Sequence, residues 1–203
     1  MNEFNSKARD WDKSQMHIER SQVIAGEILK AVSINKKMKA LEYGAGTGLL
    51  SFILKDKFEE ITLMDSSSEM INVAREKIIS EGVKNFKTIL IDLEKGSYKA
   101  KFDIIYTQMV LHHVISVEAL LTKFYSLLNP GGYLSIADLY SGGSTFHGEG
   151  FSGHNGFDPE KLSSLLINIG YRTIEHHQCF IIKKNNETGS VKEYPVFLLT
   201  AKK

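Results

Sequence analysis

Cysteine, proline and tryptophan are scarce in this chain: one, three and one in 203 residues. Cys179 has no second cysteine to pair with, which excludes an intrachain disulfide framework and makes a cytoplasmic home the expected one. An excess of one charge sign is missing too. Lys and Arg number 25 and Asp and Glu 24, for a net charge of +1, so nothing electrostatic calls for a nucleic acid or another polyanion as partner. No apolar run approaches the roughly 20 residues that span a bilayer, and Met1–Lys7 lacks the apolar core of a signal peptide, so no membrane span is expected. No internal repeat, low-complexity tract or interdomain linker interrupts the chain. With 42% apolar residues, it is long enough to bury the core of one domain, expected over 1–203.

What is present is an alternation of strand and helix signals. Apolar residues at 24, 28 and 31/32 have helical spacing and predict a helix over Ile18–Val32. Short apolar segments predict strands at Met38–Tyr43, Ile61–Met64, Phe86–Ile91, Phe102–Tyr106 and Tyr133–Ala137. Ser66 with Glu69 three residues on reads as a capping box opening a helix to Ser80. Val117–Leu128 reads as a helix stopped by Asn129-Pro130-Gly131-Gly132, and Asp158-Pro159 as the start of another, running to Ile169. Tyr171–Lys183 and Val191–Ala201 are separated by only a short turn, so they must pair as a hairpin. The expected fold is therefore α/β: a Rossmann-like three-layer sandwich on a mostly parallel seven-stranded sheet that ends in an antiparallel hairpin.

The densest signal is Ala40-Leu41-Glu42-Tyr43-Gly44-Ala45-Gly46-Thr47-Gly48, a strand that ends in alternate glycines and runs into the helix-like Leu49–Leu54. Bare backbone at such a turn meets a nucleotide-type ligand. The dinucleotide fingerprint needs a further glycine three places after the second, and that place is Leu49. Glu42 stands where a carboxylate reaches an ammonium group beyond the strand end. Ligands of such sheets bind outside the carboxyl ends of the strands, where strand order reverses. Asp65, Asp92 and Thr107 follow or end the next three strands and belong to the same rim.

Five segments in order and spacing resemble the class I S-adenosylmethionine-dependent methyltransferases, in particular the small-molecule branch with the quinone-biosynthesis enzymes. They are Leu41–Gly48, Met64–Met70, Ile91–Leu93, Phe102–Val114 and Leu128–Leu134, over residues 38 to 137. The resemblance implies S-adenosylmethionine as cofactor, direct displacement at its methyl group, and an oxygen, nitrogen or sulfur of a small molecule as acceptor. It implies that Asp65 holds the ribose hydroxyls by charge-assisted bonds. Asp92 and the Leu93 amide would meet the adenine, Ser66 and Met70 would lie along adenine and ribose, and the backbone at Thr107 would meet the ammonium. Gly44, Gly46 and Gly48 would frame the pocket. It also implies an amino-terminal cap over residues 1–35, in which Trp11 shields the sulfonium region. The oligomeric state stays open between monomer and homodimer.

The acceptor side is read from histidines. His113 follows the fourth strand, while His147 and His154 lie in the glycine-rich loop 141–157, between Phe146, Phe151 and Phe157. An imidazole takes a proton near neutral pH when the nucleophile arrives protonated, which makes these three the catalytic candidates. His112-His113 is also read as structural, packing the loop and the helix start. A metal bound by His147, Glu149 and His154 is not expected, since a glycine-rich loop by itself does not hold ligands rigidly. His176 and His177 share a strand and point to opposite faces, so they cannot chelate together. A dehydrogenase explains the acid after the glycines but not the later motifs. Nucleic-acid amino-methylating relatives need a different segment at Thr107–Val110, and the cytosine-methylating type needs a Pro-Cys there. A non-catalytic cofactor sensor predicts damaged glycines or a missing Asp65, and neither is seen.

Overall fold

A computed structural model describes residues 4–142, 146–147, 150–185 and 189–203. Twelve principal elements are named here. They are α1 (Gln15–Ala31), β1 (Lys39–Tyr43), α2 (Leu49–Leu54), β2 (Glu60–Asp65), α3 (Ser68–Ser80), β3 (Phe86–Leu90), β4 (Phe102–Gln108), α4 (Val117–Leu127), β5 (Leu128–Leu139), α5 (Pro159–Ile169), β6 (Arg172–Asn185) and β7 (Val191–Lys202). Short 3-10 turns cover Asn5–Lys13 and Leu111–His113.

The strands form one sheet in the order β3-β2-β1-β4-β5-β7-β6. Neighbours from β3 to β5 pair in parallel, while β7 pairs antiparallel with both β5 and β6. Strand order reverses between β1 and β4, which is where a ligand crevice forms in such sheets. Residues alternate between the two faces because the strand period is two. Ile104 and Tyr106 of β4 pack with Ile24 and Ile28 of α1 and Leu50 of α2, whereas Ile105 packs with Leu120 and Phe124 of α4 and Leu166 of α5. Both faces are covered, and the central strands read as near-continuous apolar runs for that reason. The alternation is also visible at the edge: His176 bonds Glu160 at the start of α5 and His177 bonds Glu27 of α1, on opposite faces of β6.

The sequence-based fold class is found. Two local expectations are corrected. The cap of α3 is Ser67, whose side chain accepts from the Met70 amide, so Ser66 lies outside the helix. Asn129–Gly132 does not separate helix from strand. It belongs to β5, because the Gly131 amide donates to the Lys203 carbonyl and Gly132 accepts from the Lys203 amide, drawing the turn into the sheet with a register shift between Phe102 and Ile104. No helix among the described residues is long and apolar enough to cross a membrane.

Candidate functional site

A cavity of about 370 Å³ opens at the carboxyl ends of β1, β2 and β4. One half is built by contiguous sequence. The three glycines of the β1–α2 turn all have positive φ, of 68°, 56° and 82°, yet they serve different ends. A Cβ on Gly44 would lie 2.3 Å from Val110 Cγ2, so this glycine lets the segment after β4 close over the turn. A Cβ on Gly46 would approach only Met70 Sδ, at 3.7 Å, leaving the backbone open to the cavity. Gly48 caps α2.

Two buried carboxylates face this turn. Asp65 accepts from the Gly46 amide at 2.7 Å through one oxygen and from the Ser67 amide at 2.7 Å through the other. Burial raises its pKa, and the backbone amides offset part of that. Glu42 is 3% exposed, accepts from the Ser51 amide at 3.2 Å and is also bonded by the Ser51 hydroxyl. Burial pushes its carboxyl up to about 8, against the Ser51 bonds and with a further push from Asp65. A cation beside Glu42 would return the charge to it. Ser66, Met70 and Asp92 line the cavity, with Asp92 accepting from the Glu94 amide at 2.9 Å. Leu93 and Thr107 are buried, at 1% and 2% exposure, beneath the lining rather than in it. The positions after Thr107 form the wall instead: Gln108, Met109 and Val110. Met109 has φ 58°, a left-handed conformation held by its amide's bond to the Ala137 carbonyl.

The amino-terminal turn closes over this half. Trp11 and Phe4 line the cavity, with ring centroids 6.2 Å apart. Asp12 accepts from the Thr47 hydroxyl, and its other oxygen accepts from Lys77 Nζ at 2.6 Å. Asn5 accepts from the Ser67 hydroxyl at 2.7 Å.

The other half of the cavity is assembled from distant segments. His112 and Asp138 are buried together, with Nδ1 to Oδ1 at 2.6 Å. Asp138 also accepts from the amides of His112 and Leu139. Beside this pair stand His113 and His147, their ring centroids 4.2 and 4.8 Å from that of His112. His147 stacks on Phe151 at 4.0 Å. Burial is the main cause that lowers His113 to about 3 and His147 to about 4, so both rings are uncharged at neutral pH. His154 is placed differently. Its amide donates to the His112 carbonyl and its ring lies against Phe157, away from the cavity lining. Glu149 lies outside the described residues.

Sequence reasoning missed Arg20, Lys184 and Asp138. Arg20 is 4% exposed, and its Nε has no hydrogen-bond partner among the described residues. Burial lowers its pKa to about 10, with Asp138 pulling the other way. Lys184 donates to the Phe146 carbonyl at 2.9 Å and sits 3.4 Å from the centre of the Phe146 ring. The one signal available for Asp138 was an acid inside the apolar run Leu134–Leu139.

A family model described as a methyltransferase domain matches residues 34–186. An uncharacterised methyltransferase of Schizosaccharomyces pombe is 31% identical over 155 residues, covering 68% of this chain and 55% of that protein. A malonyl-[acyl-carrier protein] O-methyltransferase of Priestia megaterium is 29% identical over 144 residues, covering 68% of this chain and 50% of that one. The chain thus spans about half the length of these curated relatives. Among solved structures, the N-methyltransferase NodS of Bradyrhizobium japonicum, in complex with S-adenosyl-L-homocysteine, superposes with a TM-score of 0.69. It is 17% identical, over 95% of this chain and 90% of that one.

Proposed function

Because the chain belongs to the family of methyltransferase domains, we propose that it moves the methyl group of S-adenosylmethionine to an oxygen, nitrogen or sulfur of a small molecule, in the cavity between β1 and β4. The observation that carries this reading is the Asp65–Gly46–Glu42 arrangement. An oriented carboxylate at the end of β2, an open glycine backbone and a second buried carboxylate fit a ligand with a ribose diol and an ammonium group. Bound there, the cofactor supplies an electrophilic methyl group on a sulfonium. Asp65 holds the diol, Glu42 balances the ammonium, and Asp92 faces the adenine. Trp11 and Phe4 keep water from the reacting centre, which strengthens the electrostatic interactions inside it.

The acceptor approaches from the side of His113 and His147, which are placed to touch it, whereas His154 supports the loop through its backbone bond to His112. Arg20, Lys7 and Lys184 line that side, and they favour an acceptor that carries or develops negative charge. In the transfer, a lone pair of the acceptor atom forms a bond to the methyl carbon, and the electron pair of the breaking S–C bond goes to sulfur. Holding the two reactants in line accounts for much of the barrier lowering, about 7–11 kcal/mol in well-oriented cases.

Asp65→Ala is the direct test. Calorimetric titration with S-adenosylhomocysteine is expected to show at least a tenfold loss of affinity, with an unchanged far-UV circular dichroism spectrum. Wild-type affinity in the variant, or no binding by the parent chain, would overturn the reading.

A further inference from the structure

We propose that His112, His113 and His147 form a site for one divalent transition-metal ion of the zinc class, with an open coordination position facing the acceptor. One ligand nitrogen from each imidazole can be chosen so that all three lie within 4.8 Å of one another. All three rings line the cavity described above. The turn after β4 supplies two of them and the segment after β5 the third.

The second partner of His112 is what distinguishes this cluster from a chance meeting of rings. Its Nδ1 is engaged by Asp138 at 2.6 Å, so Nε2 is the nitrogen left for a ligand. Metal-bound histidines almost always give their other nitrogen to a carboxylate or carbonyl, which fixes the ring and raises its basicity as a ligand. Asp138 is a fully buried carboxylate near the end of β5, where it is tied to the His112 ring and to two backbone amides and is rigidly placed to orient that ring. Buried Arg20 acts on Asp138 through electrostatic attraction, and its Nε has no hydrogen-bond partner among the described residues.

A catalytic zinc site takes three protein ligands and leaves a fourth position open, with Zn–N distances of about 2.0–2.1 Å, which sets the nitrogens about 3.4 Å apart. The cluster must therefore contract by up to about 1.4 Å, through rotation of the imidazoles about their side-chain bonds. An all-imidazole donor set suits zinc, copper, iron or nickel and is unsuited to magnesium or calcium, which take oxygen. Lys7, Lys184 and Arg20 oppose a bare dication, and an anionic fourth ligand together with Asp138 offsets part of that charge. A thiol or hydroxyl acceptor fits that description when it gives its proton to solvent on binding and then attacks the methyl carbon as in the displacement above. This role rests on the methyl-transfer reading; the binding of the ion does not. The set differs from the sequence-level one, since His147 is shared but His154 turns to Phe157.

The test uses the full chain, stripped of metal with a chelator and titrated with zinc by calorimetry and with cobalt by its visible absorption. One ion per chain is expected. His147→Ala should weaken binding at least tenfold, and Asp138→Asn 10–100-fold although it removes no ligand. His176→Ala, at the far edge of the sheet, should bind as the parent does. The deciding variant is His147→Ala, because His147 is exposed and its loss leaves the core intact. Absence of saturable binding by the parent, or parental affinity in His147→Ala, would overturn the site. Titration with S-adenosylhomocysteine separates the two proposals: zinc binding without it supports the metal site and removes the methyl-transfer reading, and the reverse result removes the metal site alone.

Discussion

The two halves of the cavity are built in opposite ways. The half at β1 and β2 consists of residues close in sequence: Glu42, Gly44 and Gly46 in one turn, and Asp65, Ser66 and Met70 around one helix start. Its polar groups are tied to backbone amides, as Asp65 is to Gly46 and Ser67. The half at β4 and β5 gathers Arg20, His112, Asp138, His147 and Lys184 from five places in the chain, and its side chains meet through ring contacts and the His112–Asp138 bond. Backbone-anchored sites are held by the fold itself. A site of converging side chains is adjustable. On the proposed reading, the first half is the donor's and the second the acceptor's.

The sharpest way to break the donor half is Gly44→Ala. The new Cβ would sit in a left-handed backbone conformation and 2.3 Å from Val110 Cγ2, so the turn and the wall after β4 cannot both keep their places. The conformational and overpacking penalties together are on the order of 2–4 kcal/mol. The expected outcome is loss of S-adenosylhomocysteine affinity by roughly a hundredfold and a lower unfolding midpoint. Adding Val110→Ala should restore part of it by removing the clash while leaving the backbone penalty. Full restoration would show that packing alone mattered.

The same contrast governs what sequence discloses. The donor half was legible because a turn, a cap and a strand end are local events with local residue requirements. Even there sequence does not separate Ser66 from Ser67 as the cap, since both are equally good cap formers and only the bond to Met70 distinguishes them. The extension of β5 through Asn129–Gly132 depends on Lys203, more than 70 residues away. The acceptor half was legible only as histidines without partners. Arg20 looked like one charge on an amphipathic helix, and nothing near it in sequence announces the cavity. Lys184 falls just past the strand expected over Tyr171–Lys183, beside another lysine. Asp138 has meaning only opposite His112, 26 residues earlier.

A subtler probe of the donor half is pH. With its carboxyl at about 8, Glu42 is mostly protonated at pH 7 and must ionise to pair with an ammonium. Affinity for S-adenosylhomocysteine should therefore rise with pH between 6.5 and 8, by up to about tenfold per unit, with release of a proton. Glu42→Gln should flatten that rise, the ligand's own titration being common to both proteins. The stability sign runs the other way. An acid whose folded pKa is raised favours the folded state at low pH, and that contribution is lost as pH climbs from the unfolded value of about 4.3 to the folded value of about 8. The variant should therefore gain unfolding midpoint relative to the parent at pH 8 while binding more weakly. A parallel loss of both would mean that Glu42 supports the fold rather than the ligand.

The amino-terminal turn spans the boundary, and two of its ion pairs differ enough to set the smallest effect. Asp12 bridges Thr47 and Lys77, with the Lys77 and Asp12 side chains 22% and 31% exposed, and so it ties the cap to the glycine turn. Arg9 meets Glu76 with side chains 68% and 58% exposed, where solvent and salt screen the attraction. Asp12→Ala should weaken S-adenosylhomocysteine binding about three- to tenfold, the equivalent of roughly 1 kcal/mol for a part-buried bonded pair. Faster hydrogen exchange should be confined to residues 5–13. Arg9→Ala should leave both measurements unchanged. If the two variants behaved alike, the cap would be held by general packing of Phe4 and Trp11 rather than by the tie to Thr47. The donor half would then owe its closure to side chains after all, as the acceptor half does.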